Sequence, residues 1–177
     1  DLLNKYNNAK TCMGIVMLDN YEEIIQRISE ERKPQVVAEI EKRLHEWASL
    51  ASGVMIKKER DTYVLVFEQQ YLEIMENNKF AILDEIKEIE AEEGMPITLT
   101  IAISNEGESN YEKYESAMVA MDIALGRGGD QAVVRKDGKY NFFGGRTQEV
   151  EKRTNVKARV ISHALEELIQ KADNVMI

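Results

Sequence analysis

The sequence has one cysteine and two histidines in 177 residues, and no long apolar run. Each shortage removes a class of protein. Cys12, alone and set in an apolar stretch, leaves no internal disulfide to form and fits a reducing cytoplasm. His45 and His163 each stand without a second ligand at metal spacing, which points to surface or packing roles. With so few of these residues, no Ser/His/Asp or Cys/His nucleophile arrangement can be assembled. No stretch approaches the roughly 20 apolar residues of a membrane span, and no signal peptide, internal repeat or low-complexity segment is present. Positive charge is also short. A net charge of -9 and a pI near 4.9 repel phosphodiester backbones and anionic lipid, so no nucleic-acid partner is expected. These absences predict a soluble, cytoplasmic domain.

What is present is 44% apolar and 31% charged residues, enough to bury a core in one domain with some extra chain. "TCMGIVML" is a short apolar run bounded by "DN" and predicts a central buried strand ending at Asp19. Tyr21, Ile24, Ile25 and Ile28 then recur at helical spacing. Pro34 opens a second helix, where a missing N–H is tolerated. Its inner stripe is Val36, Val37, Ile40, Leu44, Trp47 and Ala48, and Gly53 ends it. "VMIKK" and "TYVLVFE" predict a hairpin. A helical region over 70–92, broken near Asn77 and Asn78, turns Ile82, Leu83, Ile86 and Ile89 inward. "MPITLTIAIS" alternates apolar Ile97, Leu99, Ile101 and Ile103 with Thr98, Thr100, Ala102 and Ser104 and predicts a strand. The helix over 111–125 buries Tyr114, Met118, Met121 and Leu125, with Gly126 as its cap, and "QAVVRKDGKYNFF" turns at Asp137 and Gly138. This order predicts an α/β (α+β) fold, a mixed sheet of about five strands flanked by helices. Beyond it, over 154–172, Val156, Val160, Ile161, Ala164, Leu165, Leu168 and Ile169 share one stripe and predict a connector helix. A chain that opens at Asp1 without Met and closes on the strand-like "NVMI" is expected to be cut from something longer.

The first hairpin raises a question, because its turn, within "KKERDTYVLVF", has five charged residues in a row (57–61) and no Gly, Asn or Pro. The element order resembles the GGDEF, or diguanylate-cyclase-like, domain over 11–143, whose hairpin tip reads Gly-Gly-Asp/Glu-Glu-Phe. Here the tip reads "ERDTY". In that family two glycines let the backbone approach GTP and the acids hold a divalent metal beside the triphosphate. The resemblance puts Glu59 and Arg60 on the glycines, Asp61 on the first acid, Thr62 on the second and Tyr63 on the Phe. Met17 and Asp19 fall on the two strand aspartates, or Asp19 on the first of them, and Ile25 on the base-reading Asn. Leu50 and Gly53 fall on the Arg-x-x-Asp inhibitory site. Cyclase activity and product inhibition are therefore not implied.

A narrower resemblance rests on "LDNYEE", "ALGRGGDQAVVR" and the tail from "FFGGRTQEVEKR" onward. Together they resemble the GdpP/YybT-type cyclic-di-AMP phosphodiesterases, in which membrane helices and a PAS domain precede a degenerate GGDEF domain and a DHH/DHHA1 phosphodiesterase follows. This implies an upstream linker over 1–10, the GGDEF domain over 11–143, and a connector helix with the first DHH strand over 144–177. It also implies a membrane-anchored, homodimeric parent with manganese in the DHH domain. Some domains of this kind bind ATP and hydrolyse it slowly. The binding set expected here is Lys57, Arg60, Thr62 and Arg127 for nucleotide, with Asp19 and Asp61 for Mg²⁺. Simpler readings stand beside these. Asp61 could satisfy amides of its own turn, Asp19 could cap the following helix, and residues 57–60 could be a solvated face. "GRGGD" follows a helix C-terminus, where the dipole repels anions, so it is not a phosphate loop, although Arg127 could still reach a phosphate. A non-binding spacer that relays a signal is the alternative function.

Overall fold

A computed structural model describes residues 9–89, 91 and 95–144. The predicted connector helix, the terminal strand and His163 lie outside the described residues, as do residues 1–8 of the linker. The first strand, β1 (Thr11–Leu18), is followed by α1 (Tyr21–Arg27) and α2 (Lys33–Leu50), with Pro34 in the first turn of α2. Strands β2 (Val54–Lys57) and β3 (Thr62–Glu68) form the predicted hairpin. Two short helices come next, α3 (Leu72–Asn77) and α4 (Ile82–Glu85). They are separated where Lys79 and Phe80 take φ values of +54° and +55°. Strand β4 (Leu99–Ser104), helix α5 (Asn110–Gly126) and the hairpin of β5 (Gln131–Lys136) and β6 (Lys139–Gly144) complete the domain.

All six strands join one sheet in the order β2-β3-β1-β4-β5-β6. Only β4 and β5 are parallel, the two strands that α5 connects. Helices α1 to α4 cover one face, packed on Val16, Leu18, Tyr63, Leu65, Ile101 and Ile103. Helix α5 alone covers the other, over Ile15, Ala102 and Val133. Every residue of β4 is buried, because α5 roofs the face on which Thr100 and Ser104 lie, so an alternating sequence fills a two-sided interior strand. Cys12 is fully buried, and burial pushes its thiol up to about 12.

Three local expectations are corrected. The left-handed residue after α2 is Ser52, φ +47°, and not Gly53. Gly53 is needed for space, since a Cβ there would meet Leu65 Cδ1 at 3.0 Å and Ala48 O at 3.2 Å. The buried stripe of α5 is built on Ala117, Ala120 and Ala124 with Met121 and Leu125; Tyr114 and Met118 are only partly buried. Alanines let the helix approach the sheet closely. Gly126 is the last helical residue and not the cap. The chain leaves the helix at Gly128, φ +112°. Gly129 N–H donates to Ala124 O and Gly128 N–H to Leu125 O, both at 3.0 Å, the paired closure of a Schellman end.

Candidate functional site

One end of the sheet collects the end of β1, the β2–β3 tip, the start of β4 and the α5–β5 loop. Leu18 N–H donates to Asp61 O at 2.8 Å, and Asp19 N–H donates to Thr98 O at 2.9 Å. The charged tip is therefore stitched to the end of β1, beside Asp19. It is closed by the Thr62 carbonyl, which accepts from Lys58 N–H at 2.9 Å and Glu59 N–H at 3.0 Å. None of residues 58–61 has a positive φ. That answers the question raised by the sequence: a turn with no left-handed residue needs no glycine.

Asp19 is enclosed. The Thr100 hydroxyl donates to its Oδ1 at 2.5 Å, and Asp130 N–H donates to its Oδ2 at 3.0 Å. Gly129, φ +71°, lies directly against it, and a Cβ there would sit 3.1 Å from both carboxylate oxygens and 2.9 Å from Thr100 Oγ1. Asp130 is itself 2% exposed, with φ +54°, and its carboxylate pairs with Lys87 Nζ at 2.9 Å. Asp19 does not cap α1. The cap position is Asn20, without a side-chain cap bond. The Asn20 amide instead donates to Pro96 O at 2.9 Å and accepts from Thr98 N–H at 3.2 Å.

Asp61 is half-buried, and its Oδ1 accepts from the Thr62 hydroxyl at 2.9 Å. Thr62 is 7% exposed and pairs with Met17, which pairs on its other side with Thr100. Thr62, Met17 and Thr100 thus form a row across three strands. Two inter-strand steps, about 10 Å, separate the hydroxyls that hold Asp61 and Asp19. Met17 contributes an apolar side chain between them.

The expected phosphate contacts are not brought together. Lys57 Nζ lies 2.6 Å from Glu41 Oε1 and 5.6 Å from the centroid of the Tyr63 ring, on the α2 side of edge strand β2. The hydrogen bond to Glu41 raises the Lys57 pKa. Arg127 turns to the opposite face and edge. Its guanidinium stacks 4.2 Å from the Phe142 ring of β6, and its Nε donates to Gln131 Oε1 at 3.2 Å. Lys57 and Arg127 cannot touch one nucleotide in these positions. Arg60 is exposed at the tip. Lys58, unassigned from sequence, donates to the Tyr114 hydroxyl at 2.7 Å, and that bond raises its pKa. His45 is exposed, its Nδ1 2.7 Å from Glu41 O. Ile25 packs against the core and Leu50 is 69% exposed.

Thr100, Gly129, Asp130 and Lys87, which build the surroundings of Asp19, are not among the residues the sequence singles out. The "GGD" run carried the only local signal, two glycines before a buried strand. For one Mg²⁺ shared between Asp19 and Asp61 the fit is poor as the side chains stand. Among the described residues no three His, Cys, Asp or Glu converge on a metal position. Asp19 and Asp61 are held by separate hydroxyls two strand steps apart, about 10 Å, so they do not bridge one ion where they stand.

This sheet order, with a hairpin tip against the end of the first strand, defines a domain of the GGDEF and nucleotidyl-cyclase fold. The GGDEF domain of DgcB from Caulobacter crescentus, solved in complex with c-di-GMP, superposes with a TM-score of 0.60 at 11% identity, over 75% of this chain and 87% of that one. At that identity the likeness concerns the fold alone. The chain belongs to the family described as cyclic-di-AMP phosphodiesterase GdpP-like, GGDEF domain, whose model matches residues 16–142. It is 40% identical over 179 residues to cyclic-di-AMP phosphodiesterase GdpP of Geobacillus thermodenitrificans (strain NG80-2), covering 100% of this chain and 27% of that protein. To the protein of the same name from Bacillus subtilis (strain 168) it is 36% identical over 174 residues, 97% of this chain and 26% of that one. The chain thus spans about a quarter of these curated relatives. Among the described residues no helix is long and apolar enough to cross a membrane.

Proposed function

We propose that this chain is a regulatory, catalytically degenerate GGDEF domain of a cyclic-di-AMP phosphodiesterase, which binds ATP weakly at the hairpin end of the sheet and makes no cyclic di-GMP. The observation that carries this reading is the tip, which lies against the end of β1 and turns without a glycine; the resemblance puts Glu59 and Arg60 on the positions of the family's glycines. Bulky side chains there obstruct close backbone approach to a triphosphate and leave side-chain contacts, from Arg60 and Thr62, in its place. Asp61 is the acid best placed to serve a nucleotide-bound Mg²⁺, since that ion takes one or two carboxylates and completes its shell with phosphates and water. Any hydrolysis is slow, because Thr62 stands where the resemblance expects a second acid and, among the described residues, no histidine lies at the tip to act as base. In the parent, PAS and DHH/DHHA1 neighbours, a homodimer, a membrane anchor and manganese in the DHH domain complete the reading.

The enclosure of Asp19 favours a second reading, in which the domain is a spacer that binds no nucleotide. Calorimetric titration with ATP and with GTP, each with Mg²⁺, separates the two. Weak ATP binding, with Kd near 1 mM or about -4 kcal/mol, supports the first; no heat above buffer leaves the spacer. A cyclic dinucleotide formed from GTP by the concentrated protein would overturn both.

A further inference from the structure

The two faces of the sheet are covered unequally. Met55, Tyr63, Leu65 and Phe67 of the β2–β3 hairpin are buried under the helices of the first face. The alternate residues, Val54, Ile56, Val64 and Val66, lie on the α5 side, paired as Val54 with Val66 and Ile56 with Val64. Helix α5 packs over β1, β4 and β5, and the buried cluster beneath it takes no residue from β2 or β3. Val54 remains 61% exposed and Ile56 58%. On this patch of four β-branched side chains Val64 and Val66 are half-buried, while Val54 and Ile56 on the edge strand stand open among the described residues, and the Lys58–Tyr114 bond spans from the tip to α5 beside it. At the other end of the same face, Arg127 and Arg135 stack on the rings of Phe142 and Tyr140, so that edge is shielded by cationic side chains.

We propose that residues 154–172 of this same chain dock on the β2–β3 patch. Their sequence predicts an amphipathic helix in which Val160, Ile161, Leu165 and Leu168 share one stripe, and such a stripe needs an apolar surface. The patch selects a tethered occupant. Four side chains fall far short of the roughly 800 Å² per partner of a free-standing interface, whereas a covalent tether supplies a millimolar effective concentration. The tether is long enough. From β6 to β2 is five strand steps, about 24 Å, and the nine residues 145–153 can span about 30 Å. Docking there would join the hairpin that carries Arg60 and Asp61 to the segment leading out of the domain, and it holds whether or not nucleotide binds.

The test uses the full chain. Cys12 is fully buried, so an Ile56→Cys, Leu165→Cys pair can be oxidised without competition from it. The expected product is a monomer with an internal disulfide. Dimers linked between chains would overturn the proposal in favour of a second copy on the patch. Independently, hydrogen exchange should show residues 156–169 protected, and Ile56→Lys should speed their exchange at least tenfold while leaving β1 and β4 unchanged. Absence of protection in the unmodified chain, or protection indifferent to Ile56→Lys, would also overturn it.

Discussion

The end of β1 and the tip of the β2–β3 hairpin touch through one backbone bond, yet they are built on different principles. Around Asp19 every group is spoken for: a hydroxyl from β4, an amide from the α5–β5 loop, and a glycine whose missing side chain makes the room. At the tip, residues 58–60 are exposed and the turn is closed by backbone alone. The difference teaches that the acid at the end of the first strand has become part of the framework. The tip has no such enclosure, and the proposed nucleotide contacts fall there.

The sharpest way to break this comparison is Gly129→Ala. A methyl group would press on both oxygens of Asp19 and on Thr100, at a positive φ, and should cost about 2–4 kcal/mol. Thermal unfolding should record a fall of roughly 5–15 °C in Tm for a domain of this size. An unchanged melting curve would mean that the enclosure around Asp19 is not tight.

Next in size is Asp19→Ala. It leaves the Thr100 hydroxyl without its acceptor and takes from Asp130 N–H one of its two, Thr100 Oγ1 at 3.1 Å being the other, a loss of about 2 kcal/mol, visible as a lower midpoint in urea. Asp19→Asn keeps an acceptor and should lose less. Were Asp19 a metal ligand first and a strut second, Asp19→Ala would abolish ATP binding with the urea midpoint intact.

How far the sequence foretold this arrangement depends on the range of the interaction. The strands, the helix order and the Asp137–Gly138 turn are local patterns of period 2 or 3.6, and they were legible. The alanine face of α5 was not, because large apolar residues dominate a periodicity reading while close packing selects small ones. Nor was the Asp19 network: its partners lie 81 and 111 positions away, and nothing near Asp19 marks Thr100 or Asp130. The tip glycines were legible only as an absence, and the backbone angles supplied the reason the fold tolerates it.

Asp61→Ala tests the tip. Under the proposed reading it removes ATP binding from the calorimeter and lowers stability by only about 1 kcal/mol, the loss of the hydrogen bond that the Thr62 hydroxyl donates to it. A lowered Tm with ATP binding intact would make Asp61 a turn-closing residue and bring the tip closer in kind to the end of β1.

The smallest effect belongs to Lys57. Its ammonium is held by Glu41 on a pair that is well exposed on both sides, so Lys57→Met should shift stability by about 0–1 kcal/mol at neutral pH. The sign with pH is fixed. A folded-state pKa raised by Glu41 means that the folded protein holds the proton more tightly than the unfolded chain. The contribution is therefore complete below the unfolded value near 10.4 and fades as pH climbs through the higher folded one. Melting curves of the two proteins should accordingly differ by the same small amount at pH 7 and pH 9 and converge as the pH climbs past the raised folded value. A gap that widened at high pH, or a loss of ATP binding in Lys57→Met with Glu41 untouched, would place Lys57 at the nucleotide site and contradict its position on the far face of the edge strand.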